Sequence, residues 1–324
     1  MLTISLALLA CKPSPTETDE PPTPVPVLTG DTAVLPTADT APQIPTFDCT
    51  ALPTGPFPNR IVPSARAYHG IAFDTLGNMV GSNGDSLLRT AASNDTSLWV
   101  PDVSPGQQMD FLPGGDLVFA HSNGNLLRIT PPGNSQVLAS NVNAYGVMVG
   151  PDGFVYTANQ NTVDRIDPDT GDREAYITGV SVPKVLNWSP ALDRMYIGTN
   201  SSGGAVYEVV LDPVTLEPQG PPTLLANTSN TWHDGLAVDV CGNLYVAEFW
   251  DKRLWRITPD GDASVLVQYP SDQYGHGVVF GSGIGEWDAM AIYVPQPYNQ
   301  NRVAEAIIGI PERRFNGGVY ETIH

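Results

Sequence analysis

Six polar residues recur at corresponding points of a weak internal repeat, and they are the first candidates for chemistry. They are His69, Gln107, Tyr145, Lys184, Asp234 and His276, spaced 38 to 50 residues apart. Each of them is followed within a few residues by an apolar stretch and then by a turn. His69, His276 and His233, which precedes Asp234, are three of the five histidines in the chain. Because histidine is otherwise scarce here, its concentration at these points favours a site.

The residue types indicate three kinds of role. Imidazole and carboxylate groups are ligands for divalent metals, so His69, Asp234 and His276 are candidate ligands for zinc or calcium. Lys184, Tyr145 and His233 are candidate acid–base groups. Gln107, Tyr145 and Lys184 are candidate ligand-binding residues. The alternative is structural: the polar groups only hold water and seal a channel, and Lys184 pairs with Asp234.

The repeat itself indicates which elements position these residues. Its clearest copy has an apolar stretch from His233, a turn at Gly242 and Asn243, and a second apolar stretch ending at Ala247. Apolar residues alternate along both stretches, which is typical of strands, and Gly and Asn suit the positive φ of tight turns. Repeats of this length are typical of propeller blades. The sequence therefore predicts an all-β fold, a six-bladed β-propeller of four-stranded antiparallel blades over residues 48–324, with one closing strand from residues near 50 to 66.

The copy that begins at Asp234 resembles a blade of the senescence-marker-protein/gluconolactonase/luciferin-regenerating family, and NHL-repeat propellers share the pattern. The segment Ser189-Pro190 before Arg194-Met195-Tyr196-Ile197 is similar to another blade of that family. The resemblance implies a propeller with a divalent metal in its channel, held by a Glu, an Asn and an Asp at the starts of inner strands. The Asp corresponds to Asp234, whereas His69 and Lys184 stand at the Glu and Asn positions.

The sequence of the first 47 residues predicts the cellular compartment of the protein. Residues 1–11 resemble a lipoprotein signal peptide that ends in a lipobox, with Cys11 as the lipidated residue; the alternative is an ordinary apolar start of a cytosolic protein. Residues 12–47 contain 9 Pro and 8 Thr and too few large apolar side chains to fold, which predicts a disordered tether. The protein is therefore expected in the bacterial cell envelope, facing the periplasm or on the outer membrane, with the membrane as a partner through its lipid anchor.

Cys49 and Cys241 remain after Cys11 is assigned to lipid. In an oxidising compartment they could form a disulfide, and otherwise they are two separate buried thiols.

The composition narrows the choice of partner. The net charge is −19, which excludes nucleic acid as an expected partner of the bulk surface. Two functions remain open. The first is a binding protein that takes a small molecule, a protein or a glycan at the channel mouth. The second is an enzyme, either a metal-dependent, lactonase-like hydrolase or a lyase acting on a small extracytoplasmic substrate.

Overall fold

A computed structural model of the chain describes residues 47–103, 106–228, 232–316 and 319–322. The predicted signal peptide, Cys11 and all but the last residue of the predicted tether lie outside these residues. The described part contains strands, turns and loops and no helix. It accordingly contains no helix long and apolar enough to span a membrane.

Twenty-four of the strands in the described residues form six four-stranded antiparallel sheets, each a blade around a central channel. The first strand in chain order, β1, spans Arg60–Arg66 and belongs to the last blade. Blade 1 contains β2 (Ile71–Phe73), β3 (Met79–Ser82), β4 (Leu87–Thr90) and β5 (Thr96–Val100). Blade 2 contains β6 (Gly106–Phe111), β7 (Leu117–His121), β8 (Leu126–Thr130) and β9 (Asn134–Ala139). Blade 3 contains β10 (Val147–Val149), β11 (Val155–Ala158), β12 (Thr162–Ile166) and β13 (Arg173–Thr178).

The second half of the ring has the same internal order. Blade 4 contains β14 (Pro183–Trp188), β15 (Arg194–Thr199), β16 (Ala205–Val210) and β17 (Thr223–Asn227). Blade 5 contains β18 (His233–Val238), β19 (Leu244–Glu248), β20 (Arg253–Ile257) and β21 (Ala263–Gln268). Blade 6 contains β22 (Val279–Phe280), β23 (Ala291–Gln296) and β24 (Arg302–Ile307), and β1 pairs with β24 as its outermost strand. The predicted six-bladed propeller and its closing strand are thus confirmed.

The turn between the first two strands of a blade shows why this sequence forms hairpins. In blade 5 the Asp239 carboxylate accepts hydrogen bonds from the backbone N–H groups of Cys241 and Asn243, at 2.8 and 2.9 Å. Gly242 has a φ of 81°, which side chains other than glycine adopt at a cost. Apolar side chains that alternate along the strands then fill the space between neighbouring blades. Between blades 3 and 4, for example, Tyr156 and Trp188 meet edge to face at 5.0 Å.

A disulfide between Cys49 and Cys241 joins the start of the described chain to blade 5. It selects one of the two alternatives that the sequence left open for these cysteines. Cys241 lies in the turn after β18, so the chain is bound to the end of the channel at which the first strands of the blades finish. This end is called the far face below. From there the segment before β1 packs its apolar side chains, including Phe57, against blades 5 and 6.

The chain continues beyond the last blade, which the repeat did not predict. Strands β25 (Arg313–Asn316) and β26 (Val319–Thr322) form a two-stranded hairpin of their own. The residues before it return to the far face, where the N–H group of Val240 donates to the Pro311 carbonyl at 3.0 Å. The blades therefore end near Ile307 rather than at the C-terminus.

Candidate functional site

The first strands of the six blades all begin at one end of the channel, which we call the mouth. Neighbouring first strands are hydrogen-bonded there: Gly277 N–H donates to the His69 carbonyl at 2.9 Å, and Gln108 N–H donates to the Tyr145 carbonyl at 3.0 Å. A Cβ atom on Gly235 would lie 2.5 Å from the backbone of Gly277. The glycine that follows the repeated polar residue therefore allows the strands to approach closely, which brings those polar residues together.

A buried ion pair lies at the centre of the mouth. The Lys184 ammonium donates to the Asp234 carboxylate, and the two residues are only 9% and 2% exposed. The Lys184 nitrogen also lies 4.2 Å from the centre of the Tyr145 ring and 4.9 Å from that of Trp232. Both rings attract the cation through their π faces. Burial raises the pKa of Asp234 to about 6 although Lys184 opposes the shift, so the carboxyl is ionised at neutral pH.

Two neutral histidines stand beside this pair. The rings of His69 and His276 are stacked with centres 4.4 Å apart. His276 Nδ1 lies 3.6 Å from the Asp234 carboxylate and 3.4 Å from the Tyr145 hydroxyl. Burial lowers the pKa of His69 to about 4, and burial together with His69 lowers the pKa of His276 well below 6.5. Both imidazoles are therefore uncharged at neutral pH.

The glutamine that reaches across the channel is Gln108, and not Gln107 as the repeat predicts. Gln108 Nε2 donates to the Asp234 carbonyl at 2.9 Å. Strand β6 contains a bulge between Gly106 and Met109, which shifts the side-chain alternation by one residue. Gln107 instead lies at the edge of the mouth, beside Tyr145.

His233 lies outside the mouth, apart from the other predicted acid–base residues, Lys184 and Tyr145. Successive side chains on a strand point to opposite sides, and because Asp234 faces the channel, His233 faces blade 4. A Cβ on Gly198 would lie 3.1 Å from its ring, and its Nε2 is 3.0 Å from the Thr228 hydroxyl. Burial lowers the pKa of His233 to about 4, so this histidine is neutral and structural.

The mouth does not fit a divalent metal. His69, Asp234 and His276 lie close together as predicted, but the Lys184 ammonium already binds the one carboxylate among them. A second cation at this carboxylate would meet a like charge at contact distance. Within the ranges that the structure describes, no group of three or more His, Cys, Asp or Glu side chains is arranged to hold a metal ion. In this arrangement His69, Asp234 and His276 do not form the predicted zinc or calcium site, because the side chain of Lys184 is the cation bound to Asp234.

We expect the melting temperature of the purified protein to be the same in EDTA and in millimolar Zn²⁺ or Ca²⁺. A ligand raises the melting temperature only when it binds the folded state, and we expect neither ion to bind at the mouth. Differential scanning fluorimetry measures this directly. A Lys184→Asn variant is the matched control, because it removes the internal cation and leaves Asp234 beside two imidazoles. Stabilisation of the parent by either ion would contradict the assignment of Lys184 as the cation of the mouth.

Aromatic side chains surround the mouth on the side of blades 5 and 6, and the sequence analysis did not single them out. They are Trp232, Phe249, Trp250, Tyr274 and Tyr298. Trp232, Trp250 and Tyr298 are 40%, 50% and 61% exposed. Phe249 links them, because its ring contacts those of Trp250 and Tyr274 at 4.9 and 5.0 Å. All five lie in loops or at strand ends next to the mouth, and this position is the signal that could have identified them. We call these five residues the aromatic rim.

A cavity of about 340 Å³ lies deeper in the channel, toward the far face. Gln108 lines both this cavity and the mouth, whereas Lys184, His69 and His276 do not line the cavity. The polar layer around Lys184 and Asp234 thus closes the channel beneath the mouth. A molecule that reaches the aromatic rim would rest on this layer.

Comparison with known proteins agrees with the geometry. Residues 140–284 match the family model of the SMP-30/Gluconolactonase/LRE-like region. No curated protein matches the sequence.

Three solved structures are similar to this chain. Regucalcin from Agrobacterium tumefaciens, a calcium-binding protein, is 15% identical over 84% of this chain and 100% of its own, with a TM-score of 0.66. A gluconolactonase from Xanthomonas campestris is 14% identical over 82% and 94%, with a TM-score of 0.65. An auxiliary nutrient binding protein from Bacteroides thetaiotaomicron is 12% identical over 76% and 69%, with a TM-score of 0.61. At these identities the likeness establishes the fold alone.

The resemblance seen in the blade at Asp234 is confirmed by the family match, which includes that blade. The chain is a six-bladed β-propeller, and its residues 140–284 match the model of the SMP-30/Gluconolactonase/LRE-like region.

Proposed function

We propose that the protein is a binding protein that takes a small, uncharged, polar ligand with an apolar face at the mouth. A sugar is the ligand class that combines these properties. The observation that carries the proposal is the aromatic rim, whose exposed Trp232, Trp250 and Tyr298 rings stand over a buried, fully paired polar layer.

The electrostatics of the mouth favour an uncharged ligand. Lys184 and Asp234 neutralise each other, and the imidazoles of His69 and His276 are neutral. An ionic ligand would lose its hydration and gain no free countercharge at this layer. Aromatic faces offer apolar contact area at a low cost in conformational entropy, and they are common at binding sites for this reason.

Catalysis at this mouth is less well supported than binding. A metal-dependent hydrolase needs the cation site that Lys184 occupies. Lys184 and Asp234 bind each other in a buried ion pair, so neither is available as a free acid or base. The similar structure described as an auxiliary nutrient binding protein shows that binding proteins use this fold. Turnover of a bound ligand without metal would assign the mouth to a lyase or hydrolase instead.

Replacing Trp250 with alanine should weaken ligand binding roughly tenfold or more, because it removes an exposed face of the aromatic rim. Isothermal titration with a panel of monosaccharides and disaccharides measures the affinity. Trp99→Ala is the matched control, since Trp99 is a partly exposed tryptophan of blade 1 that stacks on Arg89, 4.7 Å from its ring centre. Failure of every sugar to bind the parent protein, or equal affinity of both variants, would contradict the proposal.

The protein is held in the bacterial cell envelope by a lipid on Cys11. The apolar run that ends at this cysteine and the Pro- and Thr-rich segment after it support this placement. Cys11→Ser should therefore move the protein from the membrane fraction to the soluble fraction and abolish its labelling with radioactive palmitate. Ser14→Ala, in the same segment, should change neither. Membrane association of Cys11→Ser equal to that of the parent would show that no lipid is attached there.

A further inference from the structure

A second concave surface, which we call the side cleft, lies at the same end of the propeller as the mouth. It is formed between blades 2 and 3 and has a volume of about 230 Å³. Its side chains come from the end of β7 and the loop after it, from the residues before β10, and from the bulge of β6. Those with polar groups are Gln107, His121, Ser122, Asn143 and Tyr145.

The chemistry of the side cleft is hydrogen bonding without charge. No Asp, Glu, Lys or Arg lines it among the described residues. The carbonyl oxygen of Gln107 is buried and has no hydrogen-bond partner. A buried acceptor without a partner costs free energy, and a ligand donor would remove that cost. Amide, hydroxyl and imidazole groups together offer donors and acceptors, and a sugar hydroxyl is both.

The side cleft borders the mouth through two residues, Tyr145 and Gln107. Tyr145 lines the side cleft, and the face of its ring lies 4.2 Å from the Lys184 nitrogen in the mouth. Gln107 lines the side cleft and directly precedes Gln108, which donates to the Asp234 carbonyl across the mouth. Trp232 of the aromatic rim and Tyr145 of the side cleft both contact the Lys184 ammonium, which lies 4.9 and 4.2 Å from their ring centres. A ligand of two units on the polar layer can therefore reach from the rim to the side cleft.

We infer that the side cleft is a second subsite of the mouth, so that the ligand is an oligosaccharide of at least two units. One unit lies against the aromatic rim, and the next lies in the side cleft. This inference rests on the proposed binding of a sugar at the mouth. It adds that the sugar has at least two units and that Gln107 and Asn143 contact the second unit.

The test is the dependence of affinity on chain length. Titrations use glucose, maltose, maltotriose, cellobiose and cellotriose, together with N-acetylglucosamine and its di- and trimer. The parent should bind the di- or trisaccharide of one series at least tenfold more tightly than its monosaccharide. Asn143→Gly and Gln107→Leu should each reduce this gain at least threefold. Asn143 has a φ of 52°, so glycine keeps its backbone without strain.

Asn141→Gly is the matched control, because Asn141 has a φ of 57° and is exposed two residues away, but does not line the side cleft. It should bind all the sugars as the parent does. Equal affinity for monomer and trimer, or a length dependence that both cleft variants retain, would overturn the inference and leave the proposed function in place. Absence of binding to every sugar would overturn both. Urea unfolding of each variant verifies that it is folded.

Discussion

Replacing Lys184 with methionine is expected to lower the free energy of unfolding by about 3–5 kcal/mol, because it leaves the Asp234 carboxylate buried without its partner. Asp234 is 2% exposed, so water cannot replace the lost ammonium. The variant also loses the contacts of the cation with the rings of Tyr145 and Trp232. Urea denaturation at pH 7, followed by tryptophan fluorescence, measures the change.

An exposed ion pair provides the control for this effect. Arg165 binds Glu174 at 2.5 Å, but Glu174 is 60% exposed, so Glu174→Gln should cost less than about 1 kcal/mol. Asp234→Asn is the matching change at the buried site, and it should lower the free energy of unfolding several times more than Glu174→Gln does. A Lys184→Met and Asp234→Leu double variant should recover part of the loss, since it buries neither charge. Similar stabilities of Asp234→Asn and Glu174→Gln would show that the mouth is hydrated rather than closed.

Acid should destabilise the propeller strongly between pH 6.5 and pH 4 because of its buried histidines. The pKa of His69 and that of His233 are both lowered from 6.5 to about 4 by burial. In this window the unfolded chain binds protons at these positions and the folded chain does not, so stability is full above pH 6.5 and is lost as the pH falls. Each histidine accounts for a loss of about 3 kcal/mol. Urea midpoints measured at intervals from pH 7 to pH 4.5 test this.

Asp234 acts in the opposite direction, since its pKa is raised to about 6 and protonation therefore favours the folded state as the pH falls. The histidine contribution must for this reason be read from variants rather than from the parent alone. His69→Gln and His233→Gln should each flatten the fall in stability between pH 6.5 and 4.5 by about 2 kcal/mol. Asn141→Gly, which changes no titratable group, should leave the slope as in the parent. Parallel slopes for all the proteins would show that the buried imidazoles are protonated in the folded state.

The repeat made the blades predictable because every blade is built from the same local chemistry. The first turn of a blade is specified by an Asp and a Gly at a fixed spacing, as at Asp239 and Gly242. The strands on either side are specified by the alternation of apolar and polar residues. The same alignment placed His69, Tyr145, Lys184, Asp234 and His276 at one mouth. The C-terminal hairpin β25–β26 belongs to no repeat and for this reason was not predicted.

The differences between the predicted and the observed arrangement of the site have physical causes that a repeat alignment does not contain. Because β6 contains a bulge, Gln108 rather than Gln107 reaches across the channel, and the pattern of apolar residues does not reveal a bulge. Alternation itself would have turned His233 away from the channel. Whether Asp234 binds a metal ion or the Lys184 ammonium depends on the direction of the Lys184 side chain, which a repeat alignment does not give. The residues of the aromatic rim lie in loops or at strand ends, where no regular spacing of residues indicates in which direction a side chain points.

The disulfide between Cys49 and Cys241 determines which strand bears a mechanical load. Strand β1 closes the ring, so tension on the N-terminal chain would otherwise pull on β1 and could peel it from β24, opening the propeller at its joint. The covalent bond lies upstream of β1, and it transfers that tension to the β18–β19 turn of blade 5. A force applied before residue 47 thus bypasses the closure. Because Cys241 is on the far face, the same force pulls on the end of the channel opposite the mouth and leaves the mouth itself unloaded.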